Sequence, residues 1–363
     1  SGTSGSGGKP AGDGGDGSLG EDSGSSGGGP SGGSGPGPGP GPAPPRSLGE
    51  HSGSSLAESS GSSSTLATSS SPRATRFDPS VDRLLDLLDD PHALDSFEEV
   101  RCLGRGSFGQ AMLMHNPATG DSLVAKKLHL EGTSAAELSR METEVAVCAR
   151  LRHPNICHYL GTVSRGDTLL ICMEYASGGT LSNRIDEAAK EGSHFDVGTA
   201  ASWIAQIATA VSYMHRKRIL HRDLSAPNVF LTLGDDIKVG DFGLSKANAA
   251  SSVPVMGRTV CGTPNYFSPE MVNGESYGPA SDVWAVGVLA HEILTLKHPF
   301  VGRSLAALLR RITLCEYDRQ RLAEAPYPDE LKSVASDAEL MHLDPNQRLT
   351  LTELLSRPAF KAM

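Results

Sequence analysis

Several things are scarce in this 363-residue chain, and each scarcity removes a class of protein. Cysteine occurs only at positions 102, 148, 157, 172, 261 and 315, never as a CxxC pair. That scatter argues against a disulfide framework or a zinc site and for reduced thiols in a cytosolic or nuclear setting. No apolar run reaches bilayer-spanning length and no signal-peptide core is visible, so no membrane role is expected. Basic residues are outnumbered, 32 Lys and Arg against 42 Asp and Glu, for a net charge of −10 at pH 7. That balance argues against nucleic acid as a partner and says nothing about fold.

Aromatic and β-branched residues are almost missing from the first seventy-odd positions, which are dominated by Gly, Ser and Pro and include the run from Gly35 to Pro42. Such a stretch cannot bury enough surface to offset the entropy of ordering, so residues 1–76 are expected to be a disordered tail. Ser71-Pro72 fits a phosphorylation motif, but serine is too common there for the match to carry weight. The chain starts at Ser1 without Met, as a fragment of a longer protein would. The remaining residues, about 290, suffice for a two-lobed globular unit.

Residues 77–96 read as a short helical extension. Asp78-Pro79 has the form of a helix start, Val81, Leu84, Leu85 and Leu88 make a helical apolar stripe, and Pro91 ends it. Packing against the following domain is the expected role, with partner binding as the alternative.

From Phe97 the pattern becomes strand-like and runs into Gly104-Arg105-Gly106-Ser107-Phe108-Gly109. A GxGxxG by itself is weak, since dinucleotide folds use it too, but those need a helix directly after the glycines. Here Gln110–Met114 is followed by the turn signal from Asn116 to Gly120 and a second strand, Ser122–Leu130. Glycines in such a hairpin let backbone amides fold over phosphates, because no side chain blocks the approach. That context excludes a Rossmann-type dehydrogenase. Residues 134–151 read as a helix carrying Glu144 in the apolar stretch Glu144-Val145-Ala146-Val147, where a charge needs a reason. Leu169–Met173 reads as a strand, and residues 198–217 as a helix whose Trp203, Ile204, Ile207, Val211 and Met214 form core. Three further motifs follow in order: His221-Arg222-Asp223-Leu224-Ser225-Ala226-Pro227-Asn228, then Asp241-Phe242-Gly243, then residues 262–270, Gly-Thr-Pro-Asn-Tyr-Phe-Ser-Pro-Glu.

The ordered set H-R-D…N, D-F-G and G-T-P…S-P-E resembles that of protein kinases, over roughly residues 97–360. The resemblance implies an α+β, two-lobed kinase fold in residues 97–363: a small β-rich N-lobe with one key helix (97–173), a hinge (174–179) and a larger, mainly helical C-lobe (180–363). It implies ATP and Mg²⁺ as cofactors and transfer of the γ-phosphate to Ser or Thr hydroxyls of protein substrates. Asp223 is then the catalytic base, and Asn228 and Asp241 hold the metal. Either Lys126 or Lys127 faces the phosphates, since strand side chains alternate. The family's spacing from Gly109 selects Lys126, oriented by Glu144, and leaves the other lysine solvated. The nucleotide is expected against Leu103, Gly104, Gly106, Ser107, Phe108, Gly109, Ala111, Val124, Met173, Phe230 and the backbone of Glu174 and Ala176. Thr259 falls where activating phosphorylation usually occurs, by an upstream kinase or in trans, with Arg222 to receive the phosphate. The resemblance also implies that Asp282 holds the catalytic-loop backbone, that Glu270 pairs with Arg348, and that Thr263 contacts Asp223.

Within the kinases, Ala111, Val124, Phe230, Gly240 before D-F-G, and Thr295-Leu296-Lys297-His298-Pro299-Phe300 resemble the NIMA-related (Nek) family. That implies a cytoplasmic protein, with nuclear or centrosomal association as a family trait. One residue departs: Ser225 stands where Ser/Thr kinases usually carry Lys. Its loss removes a positive charge from an electrostatically stabilised transition state, and it favours the alternative of a catalytically weak scaffold that binds nucleotide and partners.

Overall fold

The computed structural model describes residues 79–88, 92–106, 109–130, 134, 145, 148–240 and 264–361; the N-terminal tail, 1–76, lies outside the described residues. Five strands follow Phe97: β1 (Glu98–Gly106), β2 (Gly109–His115), β3 (Ser122–His129), β4 (Tyr159–Arg165) and β5 (Thr168–Glu174). They make one antiparallel sheet in the order β1-β2-β3-β5-β4. The β2–β3 turn is local chemistry: Asn116 Oδ1 accepts the N–H groups of Ala118 and Thr119 at 3.0 and 3.3 Å. Gly120 closes that turn at φ +76°, in the left-handed region that favours glycine.

Pairing fixes the two faces of the sheet. Leu123 and Ala125 share a face with Leu170 and Cys172, and all four are buried. Val124 and Lys126, paired with Met173 and Ile171, take the opposite face. The first face is covered by the extension, α1 (Pro79–Leu87) and a 3₁₀ turn at Ala93–Ser96. Val81, Leu84, Leu88, Leu94 and Phe97 pack there on Met114, Leu160, Val163 and the β3 and β5 residues. Polar ties flank this contact, Arg83 to Asp121 at 3.0 Å and Arg165 to Asp95 at 2.7 Å.

The second lobe is mainly helical. α2 (Leu181–Glu191) begins at Thr180, whose hydroxyl accepts the Asn183 N–H at 3.1 Å, and ends at Gly192 with φ +67°. α3 (Val197–Arg216) is capped by Asp196 and buries Trp203, Ile204, Ile207, Val211 and Met214, each at most 1 % exposed. A hairpin of β6 (Val229–Leu231) and β7 (Ile237–Val239) follows. Then come α4 (Pro269–Asn273) and α5 (Pro279–Thr295), the latter apolar nearly all round and so enclosed on all sides. Five further helices, α6 (Leu305–Thr313), α7 (Arg319–Glu324), α8 (Asp329–Val334), α9 (Leu351–Ser356) and α10 (Pro358–Lys361), complete the lobe, α7 and α8 packing on α5. The architecture is the expected α+β arrangement of a five-stranded lobe and a helical lobe. β4 and α2 go beyond the sequence expectations.

Arg348 clamps the second lobe. Its guanidinium donates to both Glu270 oxygens at 2.7 Å and to the Ala280 carbonyl at 2.7 Å, and it lies 5.1 Å from the Trp284 ring centre. Burial pushes the Glu270 carboxyl up, but the hydrogen bonds and charge of Arg348 outweigh it and hold the pKa below the usual 4.5. Because the folded-state value is depressed, this pair's stabilisation is fully present above the unfolded carboxyl's pKa and is lost as pH falls through the folded one. Glu270→Gln should lower unfolding free energy by about 3–5 kcal/mol near neutral pH. In denaturant titrations followed by circular dichroism, the gap to the natural chain should narrow as the medium becomes more acidic than the carboxylate range.

Candidate active site

The loop from His221 to Asn228 joins α3 to β6, and it is held from below by one carboxylate. Asp282, on the first turn of α5, is fully buried. Its Oδ2 accepts the His221 N–H at 3.0 Å and its Oδ1 the Arg222 N–H at 3.2 Å. His215 Nε2 lies 2.7 Å from Oδ2, and the Tyr277 hydroxyl donates to Oδ1. Burial pushes the Asp282 pKa up, yet the His215 hydrogen bond and the neighbouring imidazoles leave it below the ordinary value. Arg222 sits at φ +67°, a conformation unusual for a side-chain-bearing residue, and the Asp282 bonds lie at this turn.

The hydrogen bonds also fix the tautomer of His221. Its Nε2 is 3.2 Å from the Gly240 carbonyl, which can only accept, so Nε2 carries the proton. Nδ1 then accepts the Asp223 N–H at 3.3 Å. Asn228 Nδ2 donates to the Asp223 carbonyl at 2.8 Å and to Asp223 Oδ2 at 3.2 Å, which turns Asn228 Oδ1 away from that contact as an acceptor. The structure thus brings Asp223, Asn228 and the carbonyl preceding Asp241 together.

Ala111, Val124, Lys126 and Met173 lie on the sheet face opposite the covered one, with Ala111 paired to Lys126 and Val124 to Met173. Lys127 lies on the other face. It is not the solvated side chain expected from sequence: it pairs with Glu99 of β1 at 2.5 Å and is only 25 % exposed. Gly109 has φ +132°, and a Cβ there would stand 1.8 Å from the Lys127 carbonyl oxygen, so only glycine fits. Around Gly104, by contrast, a Cβ would meet nothing within 4 Å. Leu103 is partly exposed, and Gly106 pairs with Gly109 at the strand ends. At the hinge, Glu174 donates its N–H to the His158 carbonyl at 2.8 Å, leaving its carbonyl as the backbone group it can offer. Ala176, the other hinge residue, is partly buried. Phe230 of β6 packs where Gly240 has no side chain: a Cβ on Gly240 would lie 2.8 Å from Phe230 Cε2 and 3.1 Å from Cys157 Sγ. Ser107, Phe108, Glu144, Asp241, Thr259 and Thr263 lie outside the described residues.

Ser225 is 1 % exposed, and its hydroxyl has no hydrogen-bond partner among the described residues. Its neighbour Ala226 donates its N–H to the Tyr266 hydroxyl at 3.1 Å, and that hydroxyl donates to Glu292. Burial pushes the Glu292 carboxyl up to about 8. Neither Tyr266–Glu292 nor a second buried network, His158–Glu174–Lys238, was among the sequence candidates. The signal for the latter was present: Lys238 is a charge inside the apolar run Ile237-Lys238-Val239.

Residues 97–360 match the family described as the protein kinase domain. The chain belongs to the protein kinase family. Within it, the matched relatives include Nek kinases. Serine/threonine-protein kinase Nek4 of Mus musculus is 36% identical over 265 residues, which is 72% of this chain and 32% of that protein. Nek1 of Mus musculus is 32% identical over 264 residues, 73% of this chain and 21% of that protein. Serine/threonine-protein kinase nekl-2 of Caenorhabditis elegans is 32% identical over 273 residues, 73% of this chain and 74% of that protein. The chain therefore spans only a fifth to a third of the length of Nek1 and Nek4. No helix among the described residues is long and apolar enough to cross a membrane.

The Phe230–Gly240 contact yields a test. Gly240→Ala should force the Phe230 ring aside at an overpacking cost of about 1–3 kcal/mol. Titration with MgATP is expected to show nucleotide affinity reduced roughly tenfold. Unchanged affinity would mean that the ring yields in a direction that does not matter to the nucleotide.

Proposed function

We propose that this chain is a Ser/Thr protein kinase that transfers the γ-phosphoryl group of MgATP to protein hydroxyls, with Asp223 as the catalytic base. The observation that carries this reading is the loop geometry: a fully buried Asp282 holding the backbone at His221 and Arg222, with Asn228 bonded back to Asp223. Such preorganisation suits a reaction in which positioning and charge stabilisation do most of the work.

In this reading Asp223 accepts the proton of the attacking Ser or Thr hydroxyl. The Asn228 amide steadies that carboxylate and presents Oδ1, a hard oxygen of the kind Mg²⁺ takes, with Asp241 as the second ligand. When bound, the metal supplies charge neutralisation at the phosphates. Lys126, supported by Glu144, holds the phosphates together with Gly104, Gly106, Ser107, Phe108 and Gly109. Leu103, Ala111, Val124, Met173 and Phe230 enclose the adenine, whose edge meets the backbone of Glu174 and Ala176. Phosphorylated Thr259 docks on Arg222 and orders the segment around it, by the action of an upstream kinase or a second copy. The proposed organisation is a tail at 1–76, an extension at 77–96 and the catalytic unit at 97–363. Protein substrates in the cytoplasm, nucleus or at centrosomes come with the resemblance to the Nek relatives.

Ser225 supports a second reading, a weak catalyst that works mainly as a nucleotide-binding scaffold. Its hydroxyl is buried and has no hydrogen-bond partner among the described residues, and it offers no charge to the transferring phosphate.

Two experiments separate these readings. Asp223→Asn and Asp241→Ala should each abolish MgATP-dependent phosphate transfer to a generic Ser/Thr protein substrate; transfer that survives both would refute the first reading. Ser225→Lys should raise kcat several-fold by restoring a cation. An unchanged turnover rate would show that the missing lysine is not what limits the enzyme.

A further inference from the structure

Lys238 is the only charge in β7 and is 8 % exposed, between Ile237 and Val239 at 0 %. A lysine buried so far is costly unless it is paired. Its Nζ stands 2.5 Å from Glu174 Oε1, each side chain being 10% exposed. The other Glu174 oxygen, Oε2, accepts the His158 N–H at 3.0 Å and lies 2.9 Å from His158 Nδ1, which must donate to it. The Glu174 N–H returns to the His158 carbonyl at 2.8 Å. Glu174 is therefore held through both its backbone and its side chain. Burial pushes the Glu174 carboxyl up, but His158 and Lys238 together bring it below the usual 4.5, so it is ionised at neutral pH.

The anchorage continues into the second lobe. Val239 donates its N–H to the Asn155 carbonyl, and Cys157 its N–H to the Val239 carbonyl, both at 2.8 Å. Asn155 Nδ2 donates to the Ile237 carbonyl at 3.0 Å and to Gln206 of α3 at 2.8 Å. The 155–158 segment thus links α3, β7 and the end of β5 through one continuous set of bonds. Glu174 is the last residue of β5 and the first of the hinge.

We propose that Lys238 is a positioning residue for the nucleotide: by anchoring the Glu174 carboxylate from β7, it fixes the hinge backbone at 174–176 that reads the adenine edge. This rests on the kinase reading above. Lys238 touches no nucleotide in this account. It acts through Glu174, so its loss should be felt in nucleotide binding more than in the chemical step.

The test measures KM for ATP, kcat, MgATP affinity and thermal unfolding for four forms of the full chain: natural, Lys238→Met, Lys238→Arg, and Lys238→Met combined with Glu174→Gln. The expected result for Lys238→Met is a KM for ATP raised about tenfold, with kcat changed by less than about threefold. Lys238→Arg should bring KM back toward the natural value. The double variant leaves no buried charge unpaired, so it should regain thermal stability while keeping the raised KM. A KM that recovers together with stability in the double variant would show a purely structural role and overturn the proposal. So would a KM unchanged in Lys238→Met. A natural chain that binds no MgATP at all would instead overturn the kinase reading, and this proposal with it.

Discussion

One buried carboxylate organises the catalytic loop. Asp282 sits on a helix with almost no exposed side chains, and it receives two backbone amides from the loop above it, with an imidazole and a phenol alongside. An ionised group in that position is tolerable only because every oxygen is engaged. The consequence runs outward in order. The amides fix the turn at His221 and Arg222, the turn fixes the imidazole of His221, and the imidazole ties Asp223 to the carbonyl of Gly240. The spacing between the H-R-D and D-F-G motifs, a matter of counting in the sequence, is in the structure a matter of one ring spanning the gap.

Much of this could be read from the residues. The loop octet and the glycine hairpin name themselves because each combines unusual residue types at fixed spacing, while the Glu270–Arg348 pair came only with the resemblance to the kinases. The two lysines of β3 show where spacing needs geometry beside it. Alternation said that one of them faces each way, but only the sheet register shows that Lys127 shares a face with the packed Leu123 and Ala125 and meets Glu99 there. β4 and α2 were not legible, because β4 alternates weakly and carries polar residues at its far end, while α2 is largely polar with a thin apolar stripe of Leu181, Ile185 and Ala188. The role of Lys238 was missed for another reason. A charge within an apolar strand signals a partner, as it does at Glu144, but the partner is sixty-four residues away at the end of another strand (238 − 174 = 64), and no local pattern points to it.

The two lobes are built on different physical terms. The helical lobe closes around α5 and is fastened by a bidentate ion pair. The sheet lobe has no such central element among the described residues; its covered face is finished by segments that precede the family match. Position 225 belongs to neither scheme. The hydroxyl there is enclosed with no partner among the described residues, while the next amide is claimed by Tyr266, so the loop keeps its shape although one of its usual charges is gone.

That borrowed cover has a practical meaning. The family match begins at residue 97, yet Val81, Leu84 and Leu94 lie before it and are among the most enclosed side chains of the first lobe, with Leu88 buried beside them. A gene product trimmed to the family boundary would display Leu123, Ala125, Leu160, Val163 and Leu170 to water as one apolar patch. Such a patch is a template for self-association. The domain as a folding unit is thus longer than the domain as a family: its solubility is encoded upstream of its chemistry.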